Sequence, residues 1–255
     1  WCRHLSAAYP KSVSKYPKYR ATMEQTTVTE RMPRMLRTAL LTAVFAAIVA
    51  AAQFAPTPAT AQTVPPKPVY LAVGDSLTVG LYAAGNHGFA YMVADALPQY
   101  SLEIAAVTGD GIDSTIAQLP VELAEHHPTL VTVEVGINNL GNMDKPTFLR
   151  KYVKLLHILR DNGYHDVIAC TVPWTGQSAD TDTYTRALEF NQVISSVTPS
   201  LGYTVADCWG ATVGHYEYLS AIDGFHPNRD GHRAIADAIL RAILRPVHWL
   251  PDVRR

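Results

Sequence analysis

Four short blocks of the chain carry side chains suited to one kind of reaction. The first, Gly74-Asp75-Ser76-Leu77, ends the apolar run "VYLAVG" with an acid and a hydroxyl side by side. The last, "DGFHPN", places Asp223 three residues before His226, a spacing that on a helical turn brings both side chains to one face. A serine hydroxyl is a weak nucleophile until a neighbouring base takes its proton, and imidazole, with an unperturbed pKa of about 6.5, suits that task near neutral pH. A carboxylate such as Asp223 would fix the imidazole tautomer and stabilise its charged form. Acyl transfer further needs donors aimed at the oxygen that gains charge. The backbone N–H groups of Ser76 and of Gly109 in "VTGDG", with the side-chain amide of Asn138 in "GINN", are candidates. Taken singly, each residue fits a plainer role. Gly74 and Asp75 suit a tight turn, Ser76 a helix cap, Gly109 a positive φ and Asn138 an Asx turn, while a lone histidine is more often packed or exposed than catalytic. Their coincidence in one chain favours the chemistry.

Side chains this far apart in sequence meet only if the fold gathers the loops that hold them. Apolar runs of strand length recur at "PVYLAVG", "SLEIAAV", "TLVTVEV", "HDVIACTV" and "GYTVADC". They are near-continuous rather than alternating, as expected of strands buried on both faces of a parallel sheet. Helical segments lie between them. Asp144 is placed to cap a helix with Pro146 in its first turn, with Phe148, Tyr152, Leu155, Leu156 and Leu159 on one face and Gly163 beyond its end. A second, from about Thr183 to Val197, has Leu188, Val193, Ile194 and Val197 as its apolar stripe, and a third starts near Asn228 and buries Ile235, Ile239 and Leu240. Strands alternating with helices imply right-handed crossovers and a sheet covered on both sides, with function at the carboxyl ends of the strands. Three of the four blocks directly follow such runs. His126 and His127 are expected to end a helix, and His232 has no visible partner. Trp174 and the loop "TGQSADTDT" either wall a pocket or lie as exposed polar chain.

The composition suits a globular protein: 255 residues, 48% hydrophobic, 17% charged and 9% aromatic. The net charge of -1 conceals an asymmetry, since residues 1–61 carry +6 and the remainder -7. Arg31, Arg34 and Arg37, the run "TALLTAVFAAIVAAA" and "ATA" at Ala59 to Ala61 are the three parts of a secretory signal peptide, expected over residues 35–61. The apolar stretch is shorter than a bilayer-spanning helix, so no stable membrane anchor is expected. Residues 1–34 lack apolar periodicity and read as translated upstream sequence or a disordered leader, with no function assigned. Residues 62–67 are a short linker, and residues 68–255 one domain. An acidic remainder without a basic stripe argues against nucleic acid. Cys170 and Cys208 each end an expected strand, and either a disulfide or two separate buried thiols fits them. Their number and spacing argue against a zinc site.

The four blocks together resemble the SGNH, or GDSL-type, hydrolases, with Ser76, Gly109, Asn138 and His226 matching the family's signature residues in order, and the likeness covers essentially all of the chain after Ala61. The resemblance implies a three-layer α/β/α sandwich on a mostly parallel, flavodoxin-like sheet of about five strands. It also implies Ser76 as nucleophile, His226 as general base, Asp223 as its partner and an oxyanion hole from Ser76, Gly109 and Asn138, with no cofactor and no metal. One departure is visible: the third block usually reads Gly-x-Asn-Asp, and Asn139 replaces the acid. Altered local hydrogen bonding is expected there, with activity kept. Asp75 is assigned to the turn, because adjacent residues point apart and Ser76 must face His226.

The expectation is a secreted serine ester hydrolase acting through an acyl-enzyme on small-molecule, carbohydrate or lipid esters of short-to-medium acyl chains, working as a monomer. An acyltransferase of the same fold and a non-catalytic secreted binding module are the alternatives.

Overall fold

The computed structural model describes residues 65–83, 85, 87–176 and 181–244. The expected leader and signal peptide lie outside these residues, as do residues 177–180 of the loop after Trp174. The five apolar runs form five strands: β1 (Val69–Gly74), β2 (Ser101–Ala106), β3 (Leu130–Val133), β4 (Val167–Cys170) and β5 (Thr204–Ala206). They pair in the order β2-β1-β3-β4-β5, every pair parallel. The central strands β1, β3 and β4 are buried nearly throughout, as their unbroken apolar runs require. The expectation of burial on both faces fails for β2, half-buried along its whole length, and for most of β5. These two are the edges, where a strand has a neighbour on one side only.

The helices are α1 (Ser76–Val79), α2 (Phe89–Ala96), α3 (Ile112–His126), α4 (Lys145–Asp161), α5 (Thr181–Ser200), α6 (Cys208–Thr212) and α7 (Arg229–Leu244). On one face α3, α4 and α5 pack side by side; on the other α7 lies between α2 and α6. The result is a three-layer α/β/α sandwich with flavodoxin-like strand order. In α4 the Asp144 carboxylate accepts the Thr147 N–H at 2.9 Å, and the five expected apolar residues are all buried. In α7, Ile235 and Ile239 are buried and Leu240 only partly.

The expected stripe of α5 holds for Val193 and Ile194, which are buried, and for Val197, which packs partly buried against the core, but not for Leu188. Leu188 is 37% exposed, and Ala187, Phe190, Asn191 and Ile194 face inward. The inward-facing Asn191 accepts the Val172 N–H through Oδ1 at 2.7 Å and donates its amide to Val172 O at 3.4 Å. It satisfies buried backbone just beyond β4. Cys208 does not end a strand: Asp207 accepts the Gly210 N–H at 2.8 Å and so starts α6 at Cys208. Cys170 and Cys208 are both buried, free thiols, and the neighbouring Cys208, together with burial, pushes the Cys170 thiol pKa up.

The chain leaves β1 toward β2 on one side and returns to β3 on the other, so the strand order reverses between β1 and β3. Open α/β sheets bind ligands at this point, beyond the carboxyl ends of their strands. Ser76 follows β1 there, Gly109 follows β2 and Asn138 follows β3.

Candidate active site

The turn that carries Ser76 is built by close approach. Gly74 ends β1 where an added Cβ would stand 2.6 Å from the Glu134 carbonyl oxygen, so no larger residue fits without backbone movement. Asp75 caps α1 by accepting the Leu77 N–H at 3.0 Å. Ser76, the first helical residue, is 3% exposed, with Oγ 2.9 Å from His226 Nε2.

His226 reaches it from the segment between β5 and α7. That segment is held by Ser220 N–H donating to His226 O at 2.8 Å and Asn228 N–H donating to Tyr218 O at 2.8 Å. The Asp223-to-His226 spacing works through a turn, with no helix formed. Asp223 Oδ1 accepts the backbone N–H groups of Phe225 and His226 at 3.0 and 3.1 Å, and Oδ2 lies 2.6 Å from His226 Nδ1. A carboxylate there places the proton on Nδ1 and leaves Nε2 free to accept from Ser76. Burial pushes the Asp223 carboxyl pKa up, but the hydrogen bonds from His226 and from the two backbone N–H groups outweigh it and hold the group below its usual range. The Tyr82 and Phe225 rings lie edge-on to the imidazole, at 5.4 and 5.1 Å between centroids.

The other two blocks meet beside Ser76. Asn138 sits in the 3₁₀ turn Ile137–Asn139, and its Nδ2 donates to Asp75 Oδ2 and to the Asp110 carbonyl, both at 2.9 Å. Two acceptor oxygens fix the orientation of the amide, since only NH₂ can serve both. Gly109, at φ +88°, makes the turn that presents that carbonyl. Asn139 is buried and accepts the Ile112 N–H at 2.9 Å. The position calls for an acceptor, which an amide oxygen supplies as a carboxylate would, so the departure at Asn139 keeps the bond that holds the Gly109 to Ile112 turn against β3's exit.

Near the site, Glu134 went unread in the sequence and His232 was left without a partner. Glu134, directly after β3, is fully buried, and its carboxyl faces that of Asp75 closely enough for the two to interact. Burial, opposed by hydrogen bonds, pushes the Asp75 pKa up to about 6 and, with the charge of Asp75, pushes Glu134 well above the ordinary carboxyl value. The available signal was a lone acid in an otherwise apolar run, which when buried requires a partner. His232, fully buried in α7, accepts the Phe89 N–H through Nδ1 at 3.3 Å, and burial pushes its pKa down to about 4, so it stays neutral and ties α7 to the start of α2.

A family model described as the GDSL-like lipase/acylhydrolase family matches residues 72–234, a span that includes all four blocks. The chain belongs to the GDSL-like lipase/acylhydrolase family. The resemblance read from Ser76, Gly109, Asn138 and His226 is borne out at that level. Solved members share the fold: a lipase/acylhydrolase from Enterococcus faecalis has a TM-score of 0.60 at 23% identity, over 69% of this chain and 95% of that one. An acetyl xylan esterase from Geobacillus stearothermophilus has a TM-score of 0.55 at 20% identity, over 70% of this chain and 95% of that one. Among curated proteins, an arylesterase from Vibrio mimicus is 26% identical over 103 residues, 38% of this chain. The aligned part spans about half of that relative, 52% of its length.

Proposed function

We propose that this GDSL-like protein is a secreted serine esterase that cleaves carboxylic esters of short-to-medium acyl chains through an acyl-enzyme. The observation that carries the reading is the hydrogen-bonded line from Ser76 Oγ to His226 Nε2 at 2.9 Å and from His226 Nδ1 to Asp223 Oδ2 at 2.6 Å. In the forward step the Ser76 oxygen bonds to the acyl carbon as its proton passes to Nε2. The tetrahedral intermediate then expels the alcohol, which leaves with that proton. Water repeats the sequence and releases the acid. The positive charge on His226 during each step faces Asp223.

Stabilisation of the oxyanion falls to the Ser76 and Gly109 N–H groups and the Asn138 amide. Both Asn138 hydrogens already have acceptors, so the oxyanion competes with the Asp110 carbonyl for one of them. The Tyr82 and Phe225 rings flank His226 and offer apolar surface to an acyl chain beside it. Esters with aryl or acetyl groups, as named for the Vibrio and Geobacillus relatives, are the first substrates to try. Export is supported by the basic, apolar and small-residue pattern of residues 31–61.

The test is hydrolysis of p-nitrophenyl esters of graded chain length by the purified protein. A rate optimum at short-to-medium chains that disappears with Ser76→Ala supports the reading. No hydrolysis at any length, or an optimum at long chains, overturns it.

A further inference from the structure

Glu134 is a buried ionisable group of the site to which the reaction above gives no task. Its backbone is fixed by the sheet, with Glu134 N–H donating to Val73 O at 2.9 Å and its own carbonyl pressed against Gly74. Its side chain therefore enters beneath the nucleophile turn, where it is 1% exposed. There it meets the Asp75 carboxyl, and Thr78 Oγ1 donates to Oε2 at 3.5 Å, the outer limit of such a bond.

Two carboxyl groups hydrogen-bond to each other only when one carries a proton. Asp75 already accepts from Leu77 N–H at Oδ1 and from the Asn138 amide at Oδ2, which suits it to be the charged member. An ionised Glu134 would leave Oε1 buried with no donor in reach, whereas a protonated one donates to Asp75. The proton therefore belongs on Glu134.

We propose that Glu134 is a positioning residue which, as a buried neutral carboxylic acid, donates a hydrogen bond to Asp75 and thereby holds the carboxylate that orients the Asn138 amide beside Ser76. This deepens the esterase reading and rests on it. Asp75 then links three elements: the start of α1 through Leu77, the exit of β3 through Asn138, and the proton stored on Glu134. Without the Glu134 donor, Asp75 is a buried charge short of one partner, free to tilt and carry Asn138 with it. A misplacement of about 1 Å at such a donor costs a rate factor on the order of 10².

The experiment compares the full chain with Glu134→Gln, whose amide still donates to Asp75, and Glu134→Met, which fills the space without a donor. Glu134→Gln is expected to keep kcat within about threefold, and Glu134→Met to lower kcat by about 10²-fold with KM changed less than about threefold. Infrared spectroscopy near neutral pH provides a readout independent of turnover and of whether Glu134→Met folds. The carbonyl band of a protonated carboxyl should be present in the parent and in Ser76→Ala, and absent from Glu134→Gln. A Glu134→Met protein with parental kcat, a Glu134→Gln protein as impaired as Glu134→Met, or a parent without the band overturns the assignment. An inactive parent that shows the band would remove the esterase reading and leave the protonated pair standing.

Discussion

Replacing Asp223 by asparagine isolates the tautomer control attributed to it. The side chain makes three hydrogen bonds: two from backbone N–H groups to Oδ1, at 3.0 and 3.1 Å, and one with His226 Nδ1 to Oδ2, at 2.6 Å. An asparagine keeps its carbonyl oxygen for the two backbone donors, so the turn that carries His226 survives. Its NH₂ then faces Nδ1, which must become an acceptor, and the imidazole proton moves to Nε2. In that tautomer His226 donates toward Ser76 and can no longer take its proton. The equivalent change in other serine hydrolases lowers kcat by about 10⁴, a barrier increase of about 5.4 kcal/mol. Stability should move by less than about 1 kcal/mol, because the backbone bonds persist and the group is partly exposed. The assay pairs steady-state hydrolysis of a p-nitrophenyl ester with a urea titration of both proteins. A variant within about tenfold of the parental kcat would refute the tautomer argument, and so would a rate loss matched by collapse of the fold.

Two further outcomes follow from the polar contacts below Ser76. Asn139→Ala leaves the Ile112 N–H buried without a partner and should cost about 1–3 kcal/mol in chemical denaturation, while Asn139→Asp, which keeps an acceptor, costs less; equal losses would contradict the acceptor role. The buried pair should contribute a loss of stability as pH rises from about 4 toward neutrality, because with the Asp75 pKa raised to about 6 and Glu134 raised further the folded chain retains protons there that the unfolded chain has released; His232, lowered to about 4, contributes in the opposite sense. Glu134→Gln removes one of these titrations, so its stability should decline less between about pH 5 and about pH 8, and an unchanged slope would contradict the buried pair.

The sequence made the strand ends legible, and with them the site. Val and Ile runs marked the five strands, and the residues that stop each run, Ser76, Gly109 and Asn138, are those brought to one edge. What it concealed were polar residues with inward tasks. Asn191 had no place in the apolar stripe expected of α5, yet it is buried and satisfies the Val172 backbone, while Leu188 of that stripe is exposed. Glu134 drew no reading in "TLVTVEV", although the strand it follows is buried throughout and an acid there needs a partner. Asp75 does serve the turn by accepting the Leu77 N–H, and its second oxygen accepts from Asn138, 63 residues along at β3's exit, where local reasoning does not reach. Half-burial of β2 and β5 depends on strand order, which no single run encodes.

The most direct test of the account is to react the folded protein with a serine-directed phosphonate and locate the adduct by mass spectrometry. The account predicts one phosphonyl group, on Ser76, absent from Ser76→Ala and formed far more slowly in Asp223→Asn. No adduct, labelling of a different serine, or equal labelling of Ser76→Ala would contradict it.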